Sequence, residues 1–235
     1  MEIVGLIPAA GYATRLAPLE GSKEVLPIGG KPVMDYVVDR MQLGGCTRLR
    51  VVTRPEKADV IAHARSLGAD VVLAYPETIS ESFAAAIAGL ASDDIVLLGF
   101  PDAIWEPEDG YRPLVAAVEE GHEIALGLFQ APDLERSDVL SFDASGRIDR
   151  IHIKPDTPPS EWIWGVAAAR VRALNGLEHE EWPGSYFDSL LRRGVELFGV
   201  PLSDAYLDIG TKEALRQVRE APHELRIRLP GPQGG

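Results

Sequence analysis

The sequence predicts an α/β fold in which a mixed, mostly parallel sheet is flanked by helices. Short apolar runs rich in β-branched residues recur along the first half of the chain, and each has the length of a buried strand. Amphipathic stretches that end at glycines lie between these runs. This β-α-β alternation is typical of a parallel sheet with helices on its faces, the Rossmann-like layout. A later hairpin pattern adds a small antiparallel region.

The first half predicts four strands with three helices between them. Gly44 and Gly45 end the first helix, Pro55 fits the first turn of the second, and Gly68 ends it. The predicted strands lie at residues 3–7, 49–53, 70–75 and 95–99, and the predicted helices at residues 31–43, 54–67 and 80–91.

The second half mixes helices with strands that need not be parallel. The turn Asp143-Ala144-Ser145-Gly146 separates two apolar segments and predicts a hairpin. The predicted strands lie at residues 124–130, 139–142, 147–153, 162–169 and 195–200, and the predicted helices at residues 111–120, 182–193 and 211–219.

Length and composition fit one ordinary α/β domain. The chain has 235 residues, of which 46% are hydrophobic and 25% charged, which is enough for a substantial core. We expect residues 1–221 to form this domain and the Pro- and Gly-rich residues 222–235 to be a fraying tail.

Charge and apolar patterning narrow the classes of partner. A net charge of −13 disfavours nucleic acid and anionic membranes, which need a basic face. No apolar run approaches the length of a membrane span, and no signal-type segment opens the chain, so we expect a cytoplasmic protein. The single cysteine, Cys46, excludes an intramolecular disulfide. The sequence leaves open whether the chain forms a homo-oligomer.

The stretch after the first predicted strand has the composition of a phosphate-binding loop. It is built of small residues, so backbone N–H groups can approach a ligand closely and form a concave anion site. Arg15 and Lys23 follow within the same stretch, and they supply a planar fork and a mobile point charge for phosphate oxygens. Strand, amide-lined loop, arginine and lysine together predict a site for a nucleoside triphosphate.

Two half-motifs in this stretch resemble a known signature. Residues 9–18 read Ala-Ala-Gly-x-x-Thr-Arg-Leu-x-Pro, and residues 23–27 read Lys-Glu-x-Leu-Pro. The pair resembles the sugar-1-phosphate nucleotidyltransferases, in particular the short glucose-1-phosphate thymidylyltransferases and uridylyltransferases. The resemblance implies the nucleotide-diphospho-sugar transferase fold and catalytic roles for Arg15 and Lys23. It also implies a set of nucleotide-binding residues in the loop: Pro8, Ala9, Ala10, Gly11, Ala13 and Thr14.

The loop departs from the family pattern at Ala13. The family usually has glycine at this position, and the segment between Arg15 and Lys23 is shorter than its commonest form. An alanine narrows the backbone freedom with which the loop can wrap a phosphate.

Two aspartates follow predicted strands at the edge where open α/β sheets bind ligands. Asp102 comes after Leu97-Leu98-Gly99, and Asp208 ends a further short predicted strand, just before Ile209. The resemblance implies that these two residues hold Mg²⁺, a cation that prefers oxygen ligands. From the residues alone, Asp102 could instead cap its loop and Asp208 could merely shape a turn, with Thr211 capping the last helix.

Two further matches to the family pattern concern the sugar 1-phosphate, which is the acceptor in the reaction. Lys154-Pro155 resembles the family's Glu-Lys-Pro, whose lysine binds the phosphate of the sugar 1-phosphate. Ile153 stands where the family has a glutamate that contacts a sugar hydroxyl. Gly165 resembles a glycine that lets the sugar approach the backbone.

The segment that contacts the nucleotide base in the resembling family is the part of this chain that matches the family pattern least. Residues 75–83 contain neither the glycine nor the glutamine of the relatives, and Glu77 can accept but not donate a hydrogen bond. Glu77 would therefore suit a base edge that bears N–H groups, and dTTP or UTP is favoured by family frequency alone.

Together these features predict an enzyme that joins a nucleoside triphosphate and a sugar 1-phosphate with Mg²⁺ as cofactor, releasing pyrophosphate. A transferase of the same fold that uses CTP or a non-sugar phosphate such as phosphocholine remains an alternative. A glycosyltransferase on a similar sheet is disfavoured because Asp102-Ala103-Ile104 lacks the second acid of Asp-x-Asp. A non-catalytic nucleotide-sugar binder is disfavoured by the retention of Arg15, Lys23, Asp102 and Asp208.

Overall fold

Nine strands form one mixed sheet in the computed structural model, which describes residues 1–130, 134, 137–220, 227 and 229. The strands in chain order are β1 Ile3–Pro8, β2 Pro27–Ile28, β3 Lys31–Pro32, β4 Arg48–Thr53, β5 Asp70–Leu73, β6 Ile95–Leu98, β7 Ala103–Trp105, β8 Ile124–Gln130, β9 Val139–Phe142, β10 Ile148–His152, β11 Trp162–Arg170, β12 Phe198–Ser203 and β13 Tyr206–Asp208. The α-helices are α1 Val33–Leu43, α2 Ala58–Ser66, α3 Ile79–Ile87, α4 Tyr111–Glu119, α5 Pro183–Arg192 and α6 Lys212–Glu220.

The sheet has the strand order β10-β9-β11-β6-β1-β4-β5, and β8 pairs with both β11 and β12. β1 is parallel to β4 and β6, and β4 is parallel to β5. β11 runs antiparallel to β6, β8 and β9, and β10 runs antiparallel to β9. The predicted mixed, mostly parallel sheet flanked by helices is therefore confirmed, together with its antiparallel hairpin.

The central strand β1 shows why this layer order forms. Its side chains alternate between the two faces, so that Ile7 packs with α1 and α4 while Val4 and Leu6 pack with α3 and α5. All three are fully buried. Burial of both faces explains why the strand reads as a continuous apolar run.

Several predicted boundaries are wrong, and the largest differences concern α2, α3 and β12. α2 begins at Ala58, because residues 54–57 form a turn whose side chains bind a neighbouring loop. α3 ends at Ile87, ahead of Gly89, whose φ of 78° lies in the left-handed region. The last sheet strand, β12, runs from Phe198 and not from residue 195.

A second, two-stranded sheet was not fully predicted from the sequence. β7 pairs antiparallel with β13, and Asp208 lies opposite Ala103 in the register. The short strand that ends at Asp208 was predicted, whereas β7 was not. This small sheet brings the segment after β6 and the segment before α6 side by side.

At the end of the chain, the predicted tail lies outside the described residues apart from Ile227 and Leu229. Ile227 is buried and packs in a cluster with Leu215 and Val218, so at this position the chain is held against the protein. Within the described ranges, no helix is long and apolar enough to cross a bilayer.

Candidate active site

The small sheet of β7 and β13 places the two predicted metal ligands next to each other. Asp102 directly precedes β7 and Asp208 ends β13, and the Ile209 amide donates to the Asp102 carbonyl oxygen at 2.8 Å. The backbone pairing therefore fixes the spacing of two carboxylates that lie far apart in the chain.

Both predicted catalytic cations reach this acid pair. Lys23 Nζ lies 2.5 Å from Asp102 Oδ2 in a partly buried ion pair. The Arg15 guanidinium lies against Gly210, where an added Cβ would be 3.0 Å from Arg15 Nη2 and 2.7 Å from Asp208 Oδ1. Gly210 therefore leaves room for arginine and carboxylate to approach each other.

Two cations and two carboxylates meet in this cluster, yet the negative charge of Asp208 is poorly compensated. Burial and then the neighbouring Asp102 charge raise the pKa of Asp208 to about 6, against the partial relief given by Lys23 and Arg15. Burial lowers the pKa of Lys23, but the charge of Asp102 and its hydrogen bond outweigh burial and leave that pKa raised. The cluster therefore favours an additional positive charge beside Asp208.

The donor set fits a hard divalent cation. Among the described residues no group of three or more acidic, histidine or cysteine side chains is gathered, so the candidate is the pair Asp102 and Asp208 alone. Mg²⁺ binds through one or two carboxylates, with substrate phosphates and water as its remaining ligands. A pair of converging aspartates beside a phosphate-binding loop matches that preference.

The raised pKa predicts a pH-dependent cost in the metal-free protein. Between pH 3.8 and about 6 the folded protein keeps a proton on Asp208 that the unfolded chain releases, so stability falls as the pH rises through this window. We expect Asp208→Asn to be more stable than the wild type at neutral pH in EDTA, and the gap to close on acidification. Protein surrounds the Asp208 carboxylate closely enough to raise its pKa, yet much of the residue remains accessible to water, which screens its charge, so the gain is modest.

Urea unfolding at several pH values in excess EDTA measures this difference. Asp109→Asn, which removes an exposed acid from the loop before α4, serves as the matched control and should show no such pH-dependent gap. A wild-type protein that is the more stable at neutral pH would contradict the prediction.

The loop after β1 presents its backbone amides away from the protein. The Ala9 carbonyl accepts from Thr53 Oγ1 at 3.1 Å and from Lys57 Nζ at 2.8 Å, and Lys57 Nζ also reaches the Gly11 carbonyl at 3.1 Å. Arg54 Nε donates to the Ala10 carbonyl at 2.9 Å. In a trans peptide the N–H points opposite to the C=O, so the three amides that follow these carbonyls face the other way.

Nothing in the described part of the chain accepts from those three amides, which belong to Ala10, Gly11 and Tyr12. The space over the Gly11 Cα is open, since a Cβ built there would meet no atom within 4 Å. A row of free N–H groups facing open space is an anion-binding nest. The loop therefore offers free amides to a ligand, and its phosphate-binding role remains a prediction.

Lys57 and Glu24 hold this loop, and sequence reasoning assigned neither a role. Glu24 is fully buried, and Lys57 Nζ lies 2.7 Å from its Oε2. Burial raises the pKa of Glu24, although the charge of Lys57 opposes the shift. The available signal was the glutamate of the Lys-Glu-x-Leu-Pro motif, a charged residue directly before the apolar residues Val25 and Leu26.

Arg54 joins the phosphate loop to the segment predicted to read the base. Besides its bond to Ala10, it donates through Nη2 to the Pro76 carbonyl at 2.8 Å. Its guanidinium also stacks against two exposed rings, at 4.4 Å from the Tyr12 centroid and 5.5 Å from the Tyr75 centroid. Glu77, the next residue after Pro76, is exposed, and its contact with a base remains a prediction.

Two predicted site residues adopt strained backbone conformations. Ala13 and Lys154 are the non-glycine residues with positive φ in the described ranges, at 53° and 41°. A left-handed conformation costs an L-residue about 1–2 kcal/mol, and such strain concentrates at functional sites. Glycine, which the resembling family usually has at the position of Ala13, adopts a positive φ without this steric cost, and this accounts for the preference for glycine there.

On the acceptor side, Lys154 Nζ lies 3.9 Å from the centroid of the Trp182 ring. Ile153 next to it is partly exposed, so the neighbouring position offers an apolar surface to a ligand. At Gly165 a Cβ would come within 2.4 Å of the Tyr206 ring, and this packing gives a reason for the glycine other than contact with a sugar. The predicted sugar contact of Gly165 remains a prediction.

Comparison with protein families gives one match that spans most of the chain. The family model of the MobA-like NTP transferase domain matches residues 5–152. This range includes the loop after β1, both predicted catalytic cations and Asp102.

Curated proteins of related sequence carry consistent names. A glucose-1-phosphate thymidylyltransferase of Neisseria meningitidis is 27% identical, over 91% of this chain and 80% of the relative.

Two solved structures share the fold. A Bacillus anthracis structure provisionally named a glucose-1-phosphate thymidylyltransferase, in complex with sucrose, has a TM-score of 0.81 at 20% identity and covers 96% of this chain and 97% of that one. A UDP-glucose pyrophosphorylase complexed with UDP-glucose has a TM-score of 0.80 at 16% identity, covering 95% of this chain and 99% of that one.

Proposed function

The chain belongs to the MobA-like NTP transferase domain family, and on that premise we propose that it joins a nucleoside triphosphate to a sugar 1-phosphate. The products are a nucleoside diphosphate sugar and pyrophosphate. It is a nucleotidyltransferase, and its relatives are named as sugar-phosphate nucleotidyltransferases. The identity of the sugar and of the base belongs to the proposal.

One observation carries the proposal: an amide nest lies on the same stretch as two cations that point at a pair of aspartates. The nest is formed at Ala10, Gly11 and Tyr12, and Lys23 contacts Asp102 directly. A triphosphate carries negative charge along its whole length and therefore needs several positive groups to bind it. The loop amides supply partial positive charges, and the side chains of Arg15 and Lys23 supply full ones.

The chemistry requires positioning more than covalent participation. An oxygen of the acceptor phosphate attacks the α-phosphorus in line, and the bond to the β-phosphate oxygen breaks as pyrophosphate leaves. Arg15 binds the β- and γ-phosphates and stabilises the charge that develops on the leaving group. Lys23 neutralises the α-phosphate, and the loop amides orient the triphosphate for the attack.

Asp102 and Asp208 would hold Mg²⁺, which when bound neutralises the two phosphates that must meet. The protein itself contributes the fixed spacing of the carboxylates, set by the pairing of β7 with β13. Lys154 holds the acceptor phosphate, and its strained backbone directs the side chain from the end of the hairpin.

For the base, we propose a pyrimidine nucleotide, dTTP or UTP. The names of the relatives support this choice, since several are thymidylyltransferases. A panel of five nucleoside triphosphates against glucose 1-phosphate, mannose 1-phosphate and phosphocholine tests the proposal through pyrophosphate release. We expect release only with a sugar 1-phosphate, and most with dTTP or UTP. Release with CTP and phosphocholine alone would overturn it.

Removal of the Lys154 charge is expected to weaken binding of the acceptor selectively. Asparagine tolerates the left-handed conformation, so Lys154→Asn removes the charge and leaves the backbone in place. Loss of a charge-assisted hydrogen bond costs about 1.5–3 kcal/mol, which corresponds to a rise of about tenfold or more in the acceptor KM. The KM for the nucleoside triphosphate should stay nearly unchanged.

Steady-state kinetics with each substrate varied in turn measures both constants. Arg150→Asn removes an exposed cation from the same hairpin and is the matched control. If nucleotide affinity collapses in Lys154→Asn while the acceptor KM holds, the lysine belongs to the nucleotide half of the site.

A further inference from the structure

A half-satisfied carboxylate lies beside the predicted phosphate-binding lysine. Asp138 immediately precedes β9, and its Oδ2 accepts a long hydrogen bond of 3.4 Å from Trp164 Nε1. Its Oδ1 is buried and has no partner among the described residues. Burial raises the pKa of Asp138, and the hydrogen bond from Trp164, the nearby charge of Lys154 and a hydrogen bond from the Lys154 backbone oppose that shift. A carboxylate with one empty acceptor in a shielded position is costly unless a ligand supplies a donor.

The fold makes specific room for this carboxylate. A Cβ on Gly184, in the first turn of α5, would lie 1.9 Å from Asp138 Oδ2 and 3.2 Å from Trp164 Nε1. The carboxylate therefore occupies the space that a side chain at position 184 would take. Helix α5 begins directly after Trp182, and Lys154 Nζ lies 3.9 Å from the centroid of the Trp182 ring.

Aromatic contacts connect this carboxylate to the acid pair. The Trp164 ring lies 5.7 Å, centroid to centroid, from the ring of Phe100, which precedes Asp102 by two residues. Asp138 is therefore connected through Trp164 and Phe100 to the segment that carries Asp102.

The side chain of Ile153, next to Lys154, cannot form a hydrogen bond with a ligand. Ile153 is an exposed apolar residue and offers only its backbone as a polar group. Asp138 is a carboxylate on the neighbouring strand, close enough to Lys154 for their charges to interact.

We propose that Asp138 determines acceptor specificity by accepting a hydrogen bond from a hydroxyl group of the sugar phosphate held by Lys154. The inference rests on the proposed function and adds the residue that selects the acceptor. Charge-assisted hydrogen bonds are about twice as strong as neutral ones, and a site built around one strongly rejects an analogue that lacks the donor.

Kinetics with a series of monodeoxy glucose 1-phosphates tests the assignment. We expect the wild type to discriminate against one analogue by about tenfold or more in kcat/KM, because that analogue leaves Oδ1 unpaired. Asp138→Asn should raise the KM for glucose 1-phosphate and lose most of the discrimination against that same analogue. The KM for the nucleoside triphosphate should not change.

Selective loss for one analogue separates recognition from a structural role, which would lower the rates with all acceptors alike. Asp149→Asn removes an exposed acid from β10 and is the matched control. Equal treatment of every deoxy analogue by the wild type would overturn the inference without any variant, even if Asp138→Asn failed to fold. A wild type that makes no nucleotide sugar from any sugar 1-phosphate would instead overturn the proposed function.

Discussion

Asp102→Asn and Asp208→Asn are each expected to lower turnover by orders of magnitude. The two reactants are polyanions that must come within bonding distance in a protein with a net charge of −13. Bringing unshielded like charges together costs several kcal/mol even at a moderate effective dielectric. Arg15, Lys23 and Lys154 do not cancel that much negative charge, so we expect the proposed reaction to require a divalent cation, which the acid pair would hold.

The double variant distinguishes one shared site from two independent roles. Because the small sheet fixes Asp102 and Asp208 as a unit, the double variant should lose little more activity than the worse single variant. Wild-type turnover should vanish in EDTA and return with Mg²⁺. Multiplicative losses in the double variant, or full activity in EDTA, would contradict a shared metal site.

The stability of Asp208→Asn makes the result interpretable. That variant is expected to unfold at a higher urea concentration than the wild type at neutral pH without metal, so its inactivity could not be assigned to misfolding. Asp109→Asn is again the matched control and should keep both normal activity and normal stability.

Arg15→Ala is expected to lower turnover by about a hundredfold or more, because it removes a preorganised cation from the developing charge of the leaving group. The side chain is exposed, so the fold should survive the change. The turnover of Arg15→Lys should lie between those of the wild type and Arg15→Ala, because lysine keeps the positive charge but lacks the planar guanidinium.

Turnover and melting temperature measured together test this role. Arg216→Ala removes an exposed arginine from α6 and should leave turnover unchanged. Near-normal turnover of Arg15→Ala with a normal melting curve would rule out a part for Arg15 in the chemistry.

Local features of the sequence predicted the first half of the fold well. β1 and β6 are apolar runs buried on both faces, and their limits follow from the run itself. The loop after β1 was recognisable because its small side chains let backbone N–H groups approach a ligand closely. The acids Asp102 and Asp208 were recognisable since each follows a strand.

The contacts that complete the site depend on tertiary structure and left weaker signals. β7 is three residues long, too short for periodicity, and it forms because β13 pairs with it. Arg54 and Lys57 lie in a stretch that resembles a first helical turn, yet their side chains bind carbonyls of the loop after β1. The environment of Asp138 could not be predicted, because it depends on Trp164 and Gly184, which are distant in the sequence and come close only in the folded chain.

Nucleotidyl transfer is tested most directly by following the phosphorus atoms. The protein is incubated with Mg²⁺, glucose 1-phosphate and dTTP or UTP labelled with ³²P at either the α- or the γ-position. We expect the α-label to appear in a nucleoside diphosphate sugar and the γ-label in pyrophosphate, in equal amounts. Transfer of the γ-label to the sugar phosphate, or its release as inorganic phosphate, would contradict nucleotidyl transfer.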